Sequence, residues 1–325
     1  MSKLADGRSD FGMKGTTGDY EEAVRAVPPA AASLRTELRA RLRRIPGGFF
    51  DMGARKSHFA ADLDSPRRKV RISPFLMSPH TVSNADFERF VADTGYRTVA
   101  DVEGWSFVFH LFLGKDAGRW PAPPGIEWWR AVKGASWSAP EGPGSSIAGR
   151  ENHPAVHVAW YDAQAYCAWA GLQLPTEAQW EYAARGGLAR RKFPWGDARE
   201  PEGTHRMNVW QGRFPVENTG TDGFVGTAPV DAYPPNGYGL YNMTGNVWEW
   251  VADRFGPPVQ SLRLLINPTG PDDGPTRVQR GGSYLCHDSY CDRYHVHSRT
   301  QNPPDSSTGN LGFRVAAPDK ENQPI

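Results

Sequence analysis

The stretch LPTEAQWEYAARGG, residues 174–187, is the segment that most directly determines the expected fold. Thr176 is followed three residues later by Gln179, and this capping-box spacing predicts a helix that begins directly after Thr176. Trp180 would face inward from that helix, and the two glycines at the end of the stretch suit a helix C-terminus. The segment therefore predicts a short helix packed on a hydrophobic core.

Other short elements are predicted on the N-terminal side of this helix. Ser83 or Asn84 can cap a helix that ends at Gly95, and a third helix should cover residues 161–170. A turn at residues 45–49 should lead into a short strand. The C-terminal half is mostly Gly, Pro, Asn and Asp between short aromatic runs, a pattern that favours long, functional loops.

Composition also indicates irregular backbone. Glycine (35), proline (28) and tryptophan (12) are abundant, whereas hydrophobic residues make up only 39% of the chain. These proportions favour short elements held together by large aromatic side chains. A chain of 325 residues can fold as one large domain, and we expect one domain with an N-terminal tail.

The N-terminal segment differs in composition from the rest. We interpret residues 1–44 as a tail with a possible short helix, and residues 45–325 as the folded domain. Ser33 would cap the tail helix. Leucines would then recur every four residues on one face, at Leu34, Leu38 and Leu42.

The charge balance and the lack of targeting patterns limit the partners. The net charge of +1 gives no general field that would attract nucleic acid or an anionic membrane. No apolar run reaches the ~18 residues that a transmembrane helix needs, and the N-terminus lacks a secretory pattern. We therefore expect a cytoplasmic protein with no nucleic-acid or membrane partner. Three cysteines cannot form a disulfide scaffold, which agrees with a reducing compartment.

Two of these cysteines lie close together in GGSYLCHDSYC, residues 281–291. The spacing of Cys286 and Cys291 matches neither a zinc-ribbon pair nor a thioredoxin-like pair. Two thiolates held together suit Cu(I), and they could equally cycle between dithiol and disulfide. A third interpretation is that both are small buried hydrophobic residues. The spacing alone does not decide among the three.

Two further segments are rich in oxygen ligands. They are NVWQGRFPVENTGTDGF, residues 208–224, and NMTGNVWEW, residues 242–250. Asn and acidic side chains among Gly-supported turns let side-chain and backbone oxygens converge on a hard cation such as Ca²⁺. The alternative is that these are polar loop residues that form Asx turns and caps without a metal.

Several other kinds of site lack their motifs. There is no phosphate-binding Gly loop followed by Lys-Ser/Thr, and no Gly-x-Ser-x-Gly elbow, which argues against nucleotide-dependent and serine-hydrolase chemistry. The histidines show no helix-spaced ligand pattern. We interpret as surface or satisfied core residues His153, His157, His287, His295 and His297.

Taken together, these segments closely resemble the formylglycine-generating enzymes, also called sulfatase-modifying factors. The resemblance covers roughly residues 45–317, in order and with few gaps. It also includes IPGGFFDMG, VSNADFERFVADTGY, NHPAVHVAWYDAQAYCAWAG and GTAPVDAYPPNGYGLYN. LPTEAQWEYAARGG and GNVWEW are shared by a wider superfamily, whereas GGSYLCHDSYC with PDSSTGNLGFR is much narrower because it contains the cysteine pair.

The resemblance implies both a fold and a reaction. The fold is of the α/β (α+β) class with little regular secondary structure, and it is related to C-type lectins. The reaction is the oxidation by O2 of a cysteine to Cα-formylglycine, within a Cys-x-Pro-x-Arg segment of an unfolded or extended sulfatase polypeptide. The chain would then be an oxidoreductase that acts on a sulfur group of another protein.

The resemblance also implies roles for individual residues. Cys286 and Cys291 match the pair that binds Cu(I), and Trp248, Ser283 and Tyr290 match residues that line or order that site. Bound Cu(I) between two thiolates can accept a substrate thiolate as a third ligand and lower the pKa of its thiol.

Two calcium ions are implied as well. One would be held by Asn208, Asp222 and the carbonyls of Val209 and Phe224, the other by Asn242, Glu249 and the carbonyls of Gly245 and Val247. We expect both ions to lie in loops away from the sulfur pair. Calcium removal would then lower thermal stability more than it alters the chemistry.

The sequence departs from animal members of the family at their structural disulfides. Positions that would hold the partner cysteines carry Val315, Ala184 and Val296, so Cys167 has no partner and we interpret it as a small buried residue. This departure agrees with a cytoplasmic location and affects no catalytic residue.

Two alternatives remain on the same fold. An iron-dependent sulfoxide synthase would need a histidine triad, usually on an N-terminal helical domain, and residues 1–44 contain no histidine. A non-catalytic, lectin-like binding module would not need Cys286 and Cys291 together.

Overall fold

Short helices and strands joined by long loops make up the chain in this computed structural model, which describes residues 14–259, 261 and 263–319. The longest α-helices have 11 residues and the longest strand has 7, which confirms the predicted fold class. Within these residues, no helix has the length and apolar character needed to cross a bilayer. The α-helices are α1 (Thr17–Ala26), α2 (Ala32–Ala40), α3 (Asn84–Thr94), α4 (Val99–Glu103), α5 (Trp160–Ala170) and α6 (Glu177–Ala184).

The strands form several small sheets. They are β1 (Arg43–Ile45), β2 (Gly48–Met52), β3 (Arg68–Ile72), β4 (Phe75–Met77), β5 (Trp105–Phe109), β6 (Trp129–Lys133), β7 (Gly212–Arg213), β8 (Glu217–Asn218), β9 (Trp248–Arg254), β10 (Leu265–Ile266), β11 (Arg277–Arg280), β12 (Arg299–Asn302), β13 (Leu311–Phe313) and β14 (Ala316–Pro318). The largest sheet has the order β12-β11-β9-β13, with β13 parallel to β9 and the other pairs antiparallel. Strands β1-β4-β14 and β10-β3-β2 form three-stranded sheets, and β5-β6 and β7-β8 form pairs.

The predicted helix caps are present. Ser83 Oγ accepts a hydrogen bond from the backbone of residue 86 at the start of α3, and Gly95 ends that helix with φ at 65°. Thr176 Oγ1 accepts from Gln179 N at 3.1 Å, and Gln179 Oε1 accepts from Thr176 N at 2.9 Å. These reciprocal bonds satisfy backbone donors that the first turn of α6 leaves free, which confirms the capping box.

The hydrophobic core surrounds α5, which is buried along nearly all of its length. Phe87 and Phe90 of α3 pack their rings against Tyr166 of α5, and Phe313 of β13 contacts the same ring. Large aromatic side chains therefore hold these short elements together, as the composition predicted.

Buried ion pairs attach α6 to the largest sheet. Arg280, the last residue of β11, donates to Glu181 Oε2 at 2.6 Å, and its guanidinium lies 3.4 Å from Glu177 Oε1. Trp180 donates from Nε1 to Glu249 of β9 at 2.8 Å. Because the loop that contains Cys286 and Cys291 follows β11 directly, α6 fixes the point at which that loop begins.

The cap predicted for the N-terminal helix is wrong. Helix α2 begins at Ala32 rather than after Ser33, and no side chain caps it. Ala30 N donates to Trp169 O at 2.9 Å, and this contact with α5 sets where the chain turns into the helix. Leu38 is buried against the core, so the helix is docked.

Both helices of the segment interpreted as a tail, α1 and α2, pack on the rest of the structure. The ring of Tyr20 in α1 stacks on Tyr161 of α5 with centroids 5.5 Å apart. The domain boundary predicted after residue 44 falls inside β1, which pairs with β4. The predicted tail and domain also include residues 1–13 and 320–325, which lie outside the described residues.

Candidate active site

The two clustered cysteines meet at one point. Cys286 Sγ and Cys291 Sγ lie 3.1 Å apart without a disulfide bond, and both side chains are almost completely buried. Two successive turns produce this arrangement. Cys286 N donates to Ser283 O at 2.8 Å, and Cys291 N donates to His287 O at 2.7 Å. A single short loop therefore brings both sulfurs together.

A glycine allows the start of this loop to lie against its end. Gly282 has φ at 77°, and a Cβ there would lie 3.0 Å from Arg293 O. Any other residue would strain the backbone and push the two ends of the loop apart. The loop is also attached to a neighbouring turn, because Tyr284 N donates to Asn246 O at 2.9 Å.

Ser283 lies directly beside the sulfur pair. Its N–H donates to Cys286 Sγ at 3.3 Å, and its Oγ accepts from Asn310 Nδ2 at 2.9 Å and Leu285 N at 3.3 Å. These two donors occupy both lone pairs of the hydroxyl, so its hydrogen is left to be donated. Asn310 O accepts from Trp248 N at 2.9 Å, which ties the predicted Trp248 to the same network.

Tyr290 belongs to a half-buried group of aromatic rings next to the loop. Its ring stacks on Phe214 with centroids 4.6 Å apart and meets Trp128 edge-on at 4.8 Å. Burial and the neighbouring cysteines raise the pKa of the Tyr290 hydroxyl, so it stays protonated near neutral pH. The three rings give the site an apolar wall that reaches solvent.

The two sulfurs have different electrostatic surroundings. Burial raises the pKa of the Cys286 thiol. The hydrogen bond with Cys286 and the nearby charge of Arg293 lower the pKa of the Cys291 thiol. Nη1 of Arg293 donates to Cys291 Sγ at 3.9 Å. Of the two thiols, Cys291 is therefore the one more readily ionised.

The first predicted set of calcium ligands comes together. Asp222 accepts from Val209 N at 2.9 Å and from Phe224 N at 3.2 Å. Burial raises the pKa of the Asp222 carboxyl. Asn208 donates from Nδ2 to Gly226 O at 2.8 Å, while its buried Oδ1 has no hydrogen-bond partner among the described residues. An unpartnered amide oxygen near a buried carboxylate fits a hard cation.

In the second predicted set of calcium ligands, the carboxylate is paired with an arginine. Asn242 Oδ1 is buried and again lacks a partner within the part of the chain that is described, and its Nδ2 donates to Val230 O at 3.0 Å. Glu249, however, accepts from Arg314 Nε and Nη2, both at 2.7 Å, and from Trp180. Since Arg314 neutralises Glu249, the second set offers a cation less net negative charge than the first.

The expectation that these loops lie away from the sulfur pair is wrong. Trp210 N donates to Cys286 O at 3.1 Å, and Gly245 N donates to Gly281 O at 2.9 Å. Gly245, with φ at 76°, also packs on the first set, because a Cβ there would lie 2.5 Å from Asn208 O. Without long strands or helices, these loops satisfy their backbone groups by bonding to one another, which places them beside the cysteine loop.

Cys167 lies on α5, in the same hydrophobic cluster as Cys286 and Cys291, and no bond between its sulfur and either of theirs is observed among the described residues. Burial raises the pKa of its thiol, so it remains an uncharged thiol. All three cysteines are free, and Val315, Ala184 and Val296, which the resemblance places where animal members would have disulfide partners, are buried.

Several residues of the site were missed by sequence reasoning. Asn310 lies within PDSSTGNLGFR, a segment whose resemblance is specific, and so could have been found there. Arg293 is two residues beyond Cys291, but its carboxylate partner Asp62 is 231 residues away. No local pattern indicates such a pairing.

Comparison with known proteins agrees with the fold. The sulfatase-modifying factor enzyme 1-like domain matches residues 30–318. Formylglycine-generating enzyme from Mus musculus is 55% identical over 275 residues, which cover 84% of this chain and 74% of that protein. Inactive C-alpha-formylglycine-generating enzyme 2 from Mus musculus is 43% identical over 277 residues, 84% of each chain. PvdO from Pseudomonas aeruginosa has a similar fold, with a TM-score of 0.61 and 22% identity over 85% of this chain and 94% of that one.

The family match and the geometry of the site together define a chain with the sulfatase-modifying factor fold and two cysteines whose sulfurs lie close together. The chain belongs to the formylglycine-generating enzyme family.

Proposed function

We propose that this protein is a copper-dependent oxidase that converts a cysteine in a Cys-x-Pro-x-Arg segment of a sulfatase to Cα-formylglycine, with O2 as the oxidant. The single observation that carries the proposal is the 3.1 Å approach of Cys286 Sγ to Cys291 Sγ. A lectin-like binding module would have no use for two unbridged thiols held together beside a hydrogen-bond donor.

The residues of the pair fit a soft monovalent ion. The donor set consists of two thiols on one loop, which is the ligand chemistry that Cu(I) prefers. Cys286 and Cys291 would hold the ion. When bound, Cu(I) supplies a coordination position for the substrate thiolate and reactivity toward O2.

The surrounding side chains would orient the reacting groups. Ser283 has a hydroxyl hydrogen left to donate, and Asn310 and Leu285 fix the oxygen that carries it. That hydrogen can be directed to a group bound at the sulfur pair. Trp248, buried and tied to Asn310, helps to exclude bulk water from this point.

The aromatic wall supplies a surface for an extended peptide. Trp128, Phe214 and Tyr290 are half-buried, and the first two rings both contact Tyr290. Because Tyr290 directly precedes Cys291, the three rings lie beside the buried sulfurs. A folded sulfatase could not present a backbone-flanked thiol to such a recessed site, so an unfolded or extended polypeptide is the substrate form. The rings would pack against its side chains.

The proposed function is tested with a synthetic peptide containing Leu-Cys-Thr-Pro-Ser-Arg. The peptide is incubated with purified protein, Cu(I), O2 and a thiol reductant that supplies the remaining electrons. Mass spectrometry should show the exchange of one sulfur and two hydrogens for one oxygen at the cysteine, together with an aldehyde that reacts with a hydrazide. Peptide that stays unmodified while Cu(I) is bound would contradict the proposed reaction.

We also propose that the two oxygen-rich loops bind Ca²⁺, and that the first set binds it more tightly because no arginine within the described part of the chain pairs with Asp222. Chelation should therefore lower the free energy of unfolding, by about 2.7 kcal/mol where free Ca²⁺ exceeds its dissociation constant a hundredfold. It should also reduce activity, because Trp210 N bonds Cys286 O. Thermal melts and peptide turnover with and without chelator measure both effects.

A matched pair of variants separates specific binding from a general effect of chelation. Asp222→Asn should lose most of the response of the melting temperature to Ca²⁺. Asp231→Asn makes the same change at an exposed carboxylate, which accepts a hydrogen bond from Asn152 Nδ2, and this variant should respond like the wild type. An equal response in both variants, or none in the wild type, would contradict the assignment.

A further inference from the structure

Arg293 is the charged side chain that contacts the sulfur pair. It follows Cys291 by two residues, and its Nη1 donates to Cys291 Sγ at 3.9 Å. The neighbouring arginines of the core pair with carboxylates and make no observed bond to either sulfur. Arg314 is paired with Glu249, and Arg280 with glutamates of α6. Among the described residues, Arg293 is thus the guanidinium for which a bond to either sulfur is observed.

The guanidinium of Arg293 is fixed in position from a distant part of the chain. Its Nε and Nη2 donate to Asp62 at 2.6 Å and 2.9 Å, and its Cζ lies 3.8 Å from the centroid of the Phe59 ring. Both partners belong to the loop between β2 and β3. The Asp62 contact uses one edge of the guanidinium, so Nη1 is left to face Cys291.

The proposed chemistry places negative charge at this buried point. Cu(I) bears one positive charge, so its complex with two thiolates has one net negative charge, and a substrate thiolate adds another. At most 1% of the surface of Cys286 and of Cys291 is exposed to solvent. Burying charge without compensation is strongly unfavourable, and a fixed opposite charge nearby offsets that cost.

We infer that Arg293 is a positioning residue whose fixed positive charge offsets the negative charge of the copper-bound thiolates and of the incoming substrate thiolate. Asp62 and Phe59 hold it in the orientation that this requires. The inference rests on the proposed copper-dependent function. It assigns no part of the covalent chemistry to Arg293, and it predicts effects on metal binding and substrate binding rather than on the fold.

The test measures Cu(I) affinity without oxygen, by competition with a chromophoric Cu(I) chelator. Arg293→Gln should weaken Cu(I) binding about tenfold to a hundredfold, the usual effect of losing a residue that supports metal ligands. With the peptide substrate, KM should rise more than kcat falls, because the substrate thiolate brings further negative charge. Arg293→Lys keeps the charge and should recover most of the Cu(I) affinity.

Two further variants separate charge compensation from damage to the fold. Arg293→Gln alone leaves Asp62 buried without its partner, so the double variant Arg293→Gln/Asp62→Asn removes both charges and should melt near the wild-type temperature. This double variant should nevertheless bind Cu(I) more weakly than the wild type does. Arg190→Gln, at an exposed arginine that pairs with Asp51, serves as the matched control and should bind Cu(I) normally.

The outcomes are distinguishable. If the wild type binds Cu(I) and the double variant binds it equally tightly, the inference about Arg293 is overturned while the proposed function stands. If Arg293→Lys is as weak as Arg293→Gln, geometry rather than charge is responsible, and the inference is also overturned. If the wild type itself does not bind Cu(I), the proposed function fails, and the inference fails with it.

Discussion

Replacing either Cys286 or Cys291 with alanine should abolish both stoichiometric Cu(I) binding and peptide oxidation. The two sulfurs lie 3.1 Å apart, and both belong to free cysteines. Loss of either one leaves a single thiolate, which cannot hold Cu(I) in a defined position for the substrate. Turnover should fall at least ~1000-fold, as expected when one member of a unit that acts together is removed. Chelator competition and the peptide assay measure the two effects.

Cys167→Ala is the matched control for these variants. All three thiols are buried, so each substitution deletes the same sulfur from a packed environment. The cost in unfolding free energy should therefore be similar, on the order of 1 kcal/mol. Cu(I) binding and turnover should nevertheless be unchanged in Cys167→Ala. If Cys286→Ala retained the metal content and activity of the control, the cysteine pair would not be the copper site. If the wild type showed neither Cu(I) binding nor turnover, a non-catalytic module on the same scaffold would remain.

The elements that the sequence predicts well are those specified by local residues. Thr176 and Gln179 specify a cap through contacts three residues apart, and Gly95 specifies a helix end through its own backbone angles. The convergence of Cys286 and Cys291 is similar, because two consecutive turns within one loop bring the sulfurs together. Such features need no knowledge of the rest of the fold.

The features that the sequence missed depend on contacts between distant segments. Ser33 has the chemistry of a cap, but the contact of Ala30 with Trp169 shifts the helix start. The bond between Asp62 and Arg293 joins residues 231 positions apart. The oxygen-rich loops were expected far from the sulfurs because nothing in their composition shows that Trp210 bonds Cys286. Tertiary packing decides all three cases.

Arg314→Met should lower the free energy of unfolding by about 3–5 kcal/mol, because removing one partner of a buried ion pair leaves the other charge uncompensated. The Arg314 side chain is fully buried, and both of its 2.7 Å bonds go to Glu249, whose Oε2 also accepts from Trp180. The variant would thus leave the buried Glu249 carboxylate without a positive partner between α6 and β9. Urea denaturation at neutral pH measures the loss.

The pair of Arg150 and Glu141 provides the comparison that isolates burial as the cause. Its two bonds, 2.6 Å and 2.8 Å, have the same two-pronged geometry, but about 30% of each side chain is exposed. Water screens that pair, so Arg150→Met should cost less than ~1 kcal/mol. In Ca²⁺-free buffer, where Glu249 can hold no metal ion, replacing both Arg314 and Glu249 with methionine should restore much of the stability, because neither charge is then left without its partner. Equal losses in Arg314→Met and Arg150→Met would show that bond geometry rather than burial sets the cost.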